Sequence, residues 1–196
     1  MTKQKTVTTK EKLIEAAISL FAKHGIHWVS FQQIATKVGV SQPALYKHFK
    51  DKDDLILACA LSAVEAGRQI IDQHVDPHAS ALKQLKSYIE GQFIWAQKQP
   101  EGVAVILAIH YFCLNQPAIK ELVEKINTQS CYRIGVRISS GQHEGYWQSV
   151  DREATARAVH NLLFGEIVKA IQSPREMSWD KRVKFVWSMT ERLLGE

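Results

Sequence analysis

Apolar residues recur at three- and four-residue spacing along most of the chain, and no stretch alternates apolar with polar long enough to argue a strand. The pattern predicts an all-α protein of about nine helices. The first spans about Thr9 to His24, with Thr8 and Glu11 spaced as a capping box, Leu13, Ala17, Leu20 and Phe21 on one face, and Gly25 as a left-handed stop. Ser30 and Gln33 repeat the capping pattern before a second helix that buries Phe31, Ile34, Ala35 and Val38 and ends at Gly39. Ser41 caps a short third helix, Gln42 to about Phe49, with Leu45 and Phe49 inward. Asp51 and Asp54 open a long fourth helix reaching about His74. Pro43, Pro77, Pro100, Pro117 and Pro174 each precede a helical stretch, as proline does in the first turn.

Further along, a fifth helix from about Pro77 to Lys98 places Leu82, Leu85, Ile89, Phe93 and Ala96 on one face, with Tyr88 and Trp95 on an adjoining stripe. The sixth, about Pro100 to Leu114, is apolar nearly all round and reads as a central buried helix. The seventh runs from about Gln116 to Ile138, ahead of Gly141 and Gly145. Asp151 caps an eighth that reaches Gln172, and the last extends from about Ser178 to Leu194. The eighth helix has two usable faces, Val159, Leu163, Ile167 and Ala170 on one, and the small-residue stripe Ala154, Ala158, Asn161, Gly165 and Val168 on the other. The ninth presents Trp179, Val183, Val186, Thr190 and Leu193. Such an excess of packing surface predicts a homodimer through a four-helix bundle of the eighth and ninth helices; the competing reading is that both faces are consumed within one subunit.

Composition narrows the picture. The 196 residues, 45% hydrophobic and 23% charged, suit one ordinary domain or a small N-terminal module fused to a larger one. The longest apolar run, Val103 to Leu114, is too short to cross a bilayer and contains His110, so no membrane partner is expected. The basic N-terminus has no apolar segment behind it and so does not read as a secretory signal. Cys59, Cys113 and Cys131 are an odd, scattered set that fits a reducing cytoplasm and no zinc-finger spacing. Charge is unevenly shared: residues 1–50 hold eight lysines, among them Lys3 and Lys5, against Glu11 and Glu15, a net of +6, while residues 51–196 carry a net of −1. A basic module joined to a neutral one points to a polyanion partner, because each neutralised phosphate releases condensed counterions.

The two short helices joined by Val38-Gly39-Val40-Ser41 have the spacing of a helix-turn-helix, whose second helix enters the major groove with its N-terminal residues. Residues from about 9 to 57 closely resemble the N-terminal DNA-binding domain of the tetracycline-repressor (TetR) family. The runs LIEAAISLFAKHG and FQQIATKVGVSQPALYKHFKDKDDLI carry the resemblance, with Val38 standing where many members have alanine. The remaining two thirds match the family only in helical layout. The resemblance implies a DNA-binding module at 1–50, an effector-binding and dimerisation domain at 51–196, and double-stranded DNA as partner. Base edges fall to Gln42, Pro43, Ala44 and Lys47, consistent with their chemistry: glutamine pairs with adenine, lysine with guanine, and proline or alanine with a thymine methyl. Tyr46 and His48 match phosphate-holding positions, and Lys52 adds charge beside helix-terminal amides. Ser30, Gln33 and Ser41 join the candidate DNA contacts alongside their capping roles, and Tyr46 can pack its ring on the first helix while its hydroxyl bonds.

For the larger domain, Tyr88, Trp95, His110, Tyr111 and Phe164 are the candidate walls of a cavity for a small, largely apolar or aromatic effector. His110 with Cys113 supplies only two metal ligands, so no metal or cofactor is expected; a core histidine bonded to a carbonyl and a polar group in the cavity are the other readings. No Gly-rich phosphate loop, Gly-x-Ser-x-Gly, His-Glu-x-x-His or Cys-x-x-Cys is present, which speaks against an enzyme. The leading expectation is a ligand-responsive repressor acting as a dimer on a near-palindromic operator. The alternatives are an adaptor whose C-terminal domain binds a protein, and a small helical enzyme.

Overall fold

A computed structural model describes residues 7–112, 116–147 and 150–195, and among them every regular element is helical. Nine α-helices follow in chain order: α1 (Thr9–His24), α2 (Phe31–Val38), α3 (Gln42–Tyr46), α4 (Lys52–His74), α5 (Ala81–Lys98), α6 (Pro100–Phe112), α7 (Pro117–His143), α8 (Arg152–Gln172) and α9 (Trp179–Leu193), with one 3-10 turn at Ile26–Trp28. The helices pack into two units. One takes the described residues up to Glu65 together with Glu101–Val123; the other takes Ala66–Pro100 together with the described residues from Glu124 onward.

Local chemistry sets most helix ends. Both capping boxes form: the Glu11 amide donates to Thr8 Oγ1 at 3.2 Å and the Thr8 amide to Glu11 Oε2 at 2.7 Å, while Ser30 and Gln33 make the matching pair at 3.3 and 2.7 Å. Gly39, at φ 77, closes α2 in the left-handed region that a side-chained residue enters at a cost.

Three ends differ from the periodicity. α3 stops at Tyr46, short of Phe49, because the chain tightens so that the His48 and Phe49 amides both donate to the Leu45 carbonyl, turning Phe49 back into the core. α5 begins at Ala81 under a Ser80 cap, since Pro77–Ser80 forms a turn held by Gln84 Nε2 donating to the Pro77 and Ala79 carbonyls. α7 runs past Ile138 to His143, through Gly141, which serves as a contact point for Trp147.

In the first unit, Leu13, Ala17, Phe21, Ile34, Ala35, Leu45, Phe49, Leu55 and Cys59 form the core under the helix-turn-helix; Leu20 and Val38 are only half-buried. α6 buries Val103, Val105, Ile106 and Ile109 in that unit. In the second, α5, α8 and α9 pack together around Leu85, Ile89, Phe93, Val159, Leu163 and Val186. Arg182 locks the start of α9 to α8: its buried guanidinium donates to Glu166 Oε2 at 2.8 Å and to the Ser173 and Met177 carbonyls. Each of its three nitrogens thus has an acceptor, which offsets the cost of burying the charge.

Candidate nucleic-acid interface

α3 is anchored at one point and open elsewhere. Leu45 is wholly buried, Ser41 Oγ accepts the Ala44 amide at 3.3 Å, and Pro43 occupies the first turn, where its missing N–H costs nothing. Around that anchor Pro43, Tyr46, Lys47 and His48 are exposed, and Gln42 and Ala44 are half-buried. Lys47 and His48 lie just past α3, with Lys47 still in right-handed helical conformation, so both remain on the outward side of the turn. The Tyr46 ring meets Phe31 at 5.0 Å while the residue stays 52% exposed, so one side chain packs and still presents its hydroxyl.

Ser30 and Gln33 spend their side chains on each other's backbone, which makes capping their established role here. Lys52 is half-buried; its Nζ donates to the His27 carbonyl at 3.1 Å, and burial lowers its pKa against the opposing pull of Asp53. An ammonium has three donors, so this anchor leaves Lys52 able to meet a phosphate. At the start of α4 the Asp54 amide donates to Asp51 at 2.9 Å, and the Lys50 amide, just ahead of the helix, donates to Asp54 at 3.1 Å, so one amide of this helix end is capped by a carboxylate beside Lys52. Trp28, 78% exposed and stacked edge-on against His27 at 5.6 Å, neighbours the Lys52 anchor. Spacing along the chain did not single it out, because it lies between the buried Ile26 and Val29 in a short apolar stretch. Lys3 and Lys5 lie outside the described residues.

Residues 13–59 match the family model for bacterial regulatory proteins of the tetR family. This stretch is a tetR-family module. Among curated relatives, the chain is 31% identical over 137 residues to the HTH-type transcriptional regulator YerO of Bacillus subtilis strain 168, covering 68% of the chain and 47% of the relative. It is 27% identical over 114 residues to a probable acrEF/envCD operon repressor of Escherichia coli K12, covering 57% and 51%. The chain thus spans about half the length of these curated relatives. Among solved structures, a transcriptional regulator from Saccharomonospora viridis in complex with choline superposes with a TM-score of 0.83 at 23% identity, covering 93% of this chain and 95% of that one. That likeness establishes a shared all-α fold.

The remaining expected site residues fall in both units. Tyr88 is buried and Trp95 and Phe164 half-buried in the second unit; His110 and Tyr111 belong to the first. His110 Nδ1 lies 2.7 Å from the Ile106 carbonyl, the core-histidine arrangement, and Cys113 lies outside the described residues. Tyr111 is 75% exposed and turned outward, with its ring edge-on to Phe112, so it walls no enclosed space within its unit.

On the expected dimer face, Ala154, Asn161 and Gly165 are exposed, Ala158 and Val168 half-buried, and a Cβ on Gly165 would meet nothing within 4 Å. On α9 two of the expected residues are corrected. Val186 and Thr190 are wholly buried, with Thr190 Oγ1 donating to the Val186 carbonyl at 2.8 Å, so they pack within the subunit and are closed to a partner. Trp179 and Val183 are half-buried, the former edge-on to Phe93 at 6.2 Å. The open apolar positions of α9 are Leu193, as expected, and Phe185.

Proposed function

We propose that this chain is a DNA-binding transcriptional regulator that works in the cytoplasm as a homodimer, represses from a near-palindromic operator and is released by a small effector. The observation that carries the reading is α3, held by the buried Leu45 and the Ser41 cap and offering Pro43, Tyr46 and Lys47 outward from a module whose charge is strongly positive. In this reading residues 1–50 bind DNA and 51–196 bind effector and partner. Gln42, Pro43, Ala44 and Lys47 meet base edges; Tyr46, His48, Lys52 and Trp28 meet the backbone. Two modules on a two-fold dimer read two half-sites, which favours a symmetric operator. Subunits join through the α8 stripe at Ala154, Ala158, Asn161 and Gly165 and through Phe185 and Leu193 of α9. Tyr88, Trp95 and Phe164 supply the effector contacts in the second unit; the choline complex of the structural neighbour supports a ligand of modest size.

Fluorescence anisotropy with labelled duplex DNA over a salt series tests this. Binding should weaken steeply with salt, and Lys47→Glu should abolish sequence preference. Salt-independent binding, or equal binding by Lys47→Glu, would overturn the proposal.

A further inference from the structure

The second unit holds a part-buried cation to which no described carboxylate is bonded. Arg137, on α7, is half-buried between the fully buried Ile134 and Ile138. Its Nη1 donates to the Arg133 carbonyl at 2.7 Å, but its Nε is buried with no hydrogen-bond partner, and no carboxylate among the described residues pairs with it. Asp72, the carboxylate whose charge reaches it, is engaged by Arg133 and by Arg68, the latter at 3.0 Å. Beneath both arginines lies the wholly buried Tyr88 of α5, with the guanidinium carbons of Arg137 and Arg133 at 4.7 and 5.2 Å from its ring centroid. Burial lowers the pKa of Arg137 and, as the leading effect, raises that of Tyr88, although the two arginines pull the phenol the other way. Two turns along α5 a second buried donor, Trp95 Nε1, also lacks an acceptor; its indole lies so close to Gly67 that a Cβ there would come within 2.7 Å.

A part-buried cation with no carboxylate bonded to it is costly. Arginine adds a planar fork of donors suited to a carboxylate, set on an aromatic face that tolerates the charge. We propose that Arg137, flanked by Arg133 and seated on Tyr88, is the anion-recognising end of the effector site and binds the carboxylate of a small organic acid with an apolar body. The proposal deepens the effector reading above, which left the ligand's charge open, and rests on that reading for the ligand's regulatory role. Two arginines beside the single carboxylate of Asp72 leave this end positive, which disfavours a quaternary ammonium there.

The test uses the full chain without DNA, by thermal shift and titration calorimetry with octanoate and benzoate. Their uncharged counterparts octanol and benzyl alcohol, octyltrimethylammonium and inorganic phosphate serve as controls. At least one carboxylate should stabilise the wild type and bind roughly ten- to a hundredfold more tightly than its alcohol. Arg137→Met should remove that preference while leaving the alcohol's affinity unchanged. Arg137→Lys, which keeps the charge and loses the fork, should weaken the carboxylate severalfold and keeps the test open if the methionine variant folds poorly. No carboxylate binding to the wild type, stabilisation by phosphate alone, or equal carboxylate affinity in the lysine or methionine variant would overturn the assignment. A wild-type chain that binds carboxylates but no duplex DNA would sink the regulator reading and leave this site standing.

Discussion

The indole of Trp147 occupies the space in which Gly141 would carry a side chain. A Cβ built on Gly141 would fall 1.9 Å from the Trp147 ring, which is fixed there by Nε1 donating to the Ile138 carbonyl at 2.8 Å. Gly141 is therefore a packing glycine, and α7 passes through it.

Gly141→Ala should destabilise the fold by about 1–3 kcal/mol, the range for overpacking a well-filled core. Chemical denaturation followed by tryptophan fluorescence measures this. If the variant matches wild type, the ring is not seated where the helix places it. Trp147→Ala in the same background should remove the steric conflict, so the two changes should be non-additive.

On DNA, the two lysines should separate base reading from charge. Lys47→Ala should relax preference at one base position at a cost of about 1–3 kcal/mol, whereas Lys52→Ala should weaken all duplexes alike and reduce the salt slope by about one. Anisotropy on a panel of variant duplexes distinguishes these outcomes. Equal effects of the two changes on every sequence would remove Lys47 from the base edges.

Assembly should depend on the open side of α8. A Cβ at Gly165 would meet no described residue within 4 Å, so Gly165→Leu should change folding stability little while the dimer weakens. Sedimentation at micromolar concentration should show wild-type dimer and variant monomer, with DNA affinity falling as the bivalent gain is lost. By contrast, Val186→Ala should act on stability, at roughly 1–3 kcal/mol for a core truncation. A wild-type monomer would dispose of the interface.

Thiol chemistry should follow burial. Burial pushes the Cys59 thiol up to about 12 from its ordinary 9, and its Sγ rests 3.8 Å from the Ile14 carbonyl. At pH 8 mass-spectrometric mapping should find the partly exposed Cys131 alkylated well before Cys59. A folded-state pKa above the unfolded one means that the unfolded thiol ionises first, so this group's effect is absent below about pH 9 and lowers stability between about 9 and 12. Cys59→Ala should flatten the alkaline fall in stability.

Much of the first unit was legible because its signals are local. Thr8 with Glu11, Ser30 with Gln33, and Gly39 each act within a few residues of one another, and the same short-range signals placed α3 and its outward residues. The ends that eluded periodicity depend on distant or folded-back groups: Phe49 turning inward, Gln84 holding the Pro77 turn, Trp147 reaching Gly141. For the same reason Val186 and Thr190 read as a partner face. A helix pattern reveals how many apolar sides exist, but only the placement of α5 and α8 decides which side is already filled. Nor could spacing bring Arg137 to Tyr88, since their meeting requires α7 to lie along α5.

The single buried anchor of α3 has a bearing on how operator preference can change over time. Leu45 and the Ser41 cap hold the helix, and the exposed Pro43 and Lys47 contribute little to folding, so replacing them should shift stability by no more than about 0.5 kcal/mol. DNA specificity can therefore drift, or be reprogrammed in the laboratory, one outward side chain at a time without passing through unfolded intermediates in sequence space. Leu45 and Gly39 set the frame within which such variation is harmless.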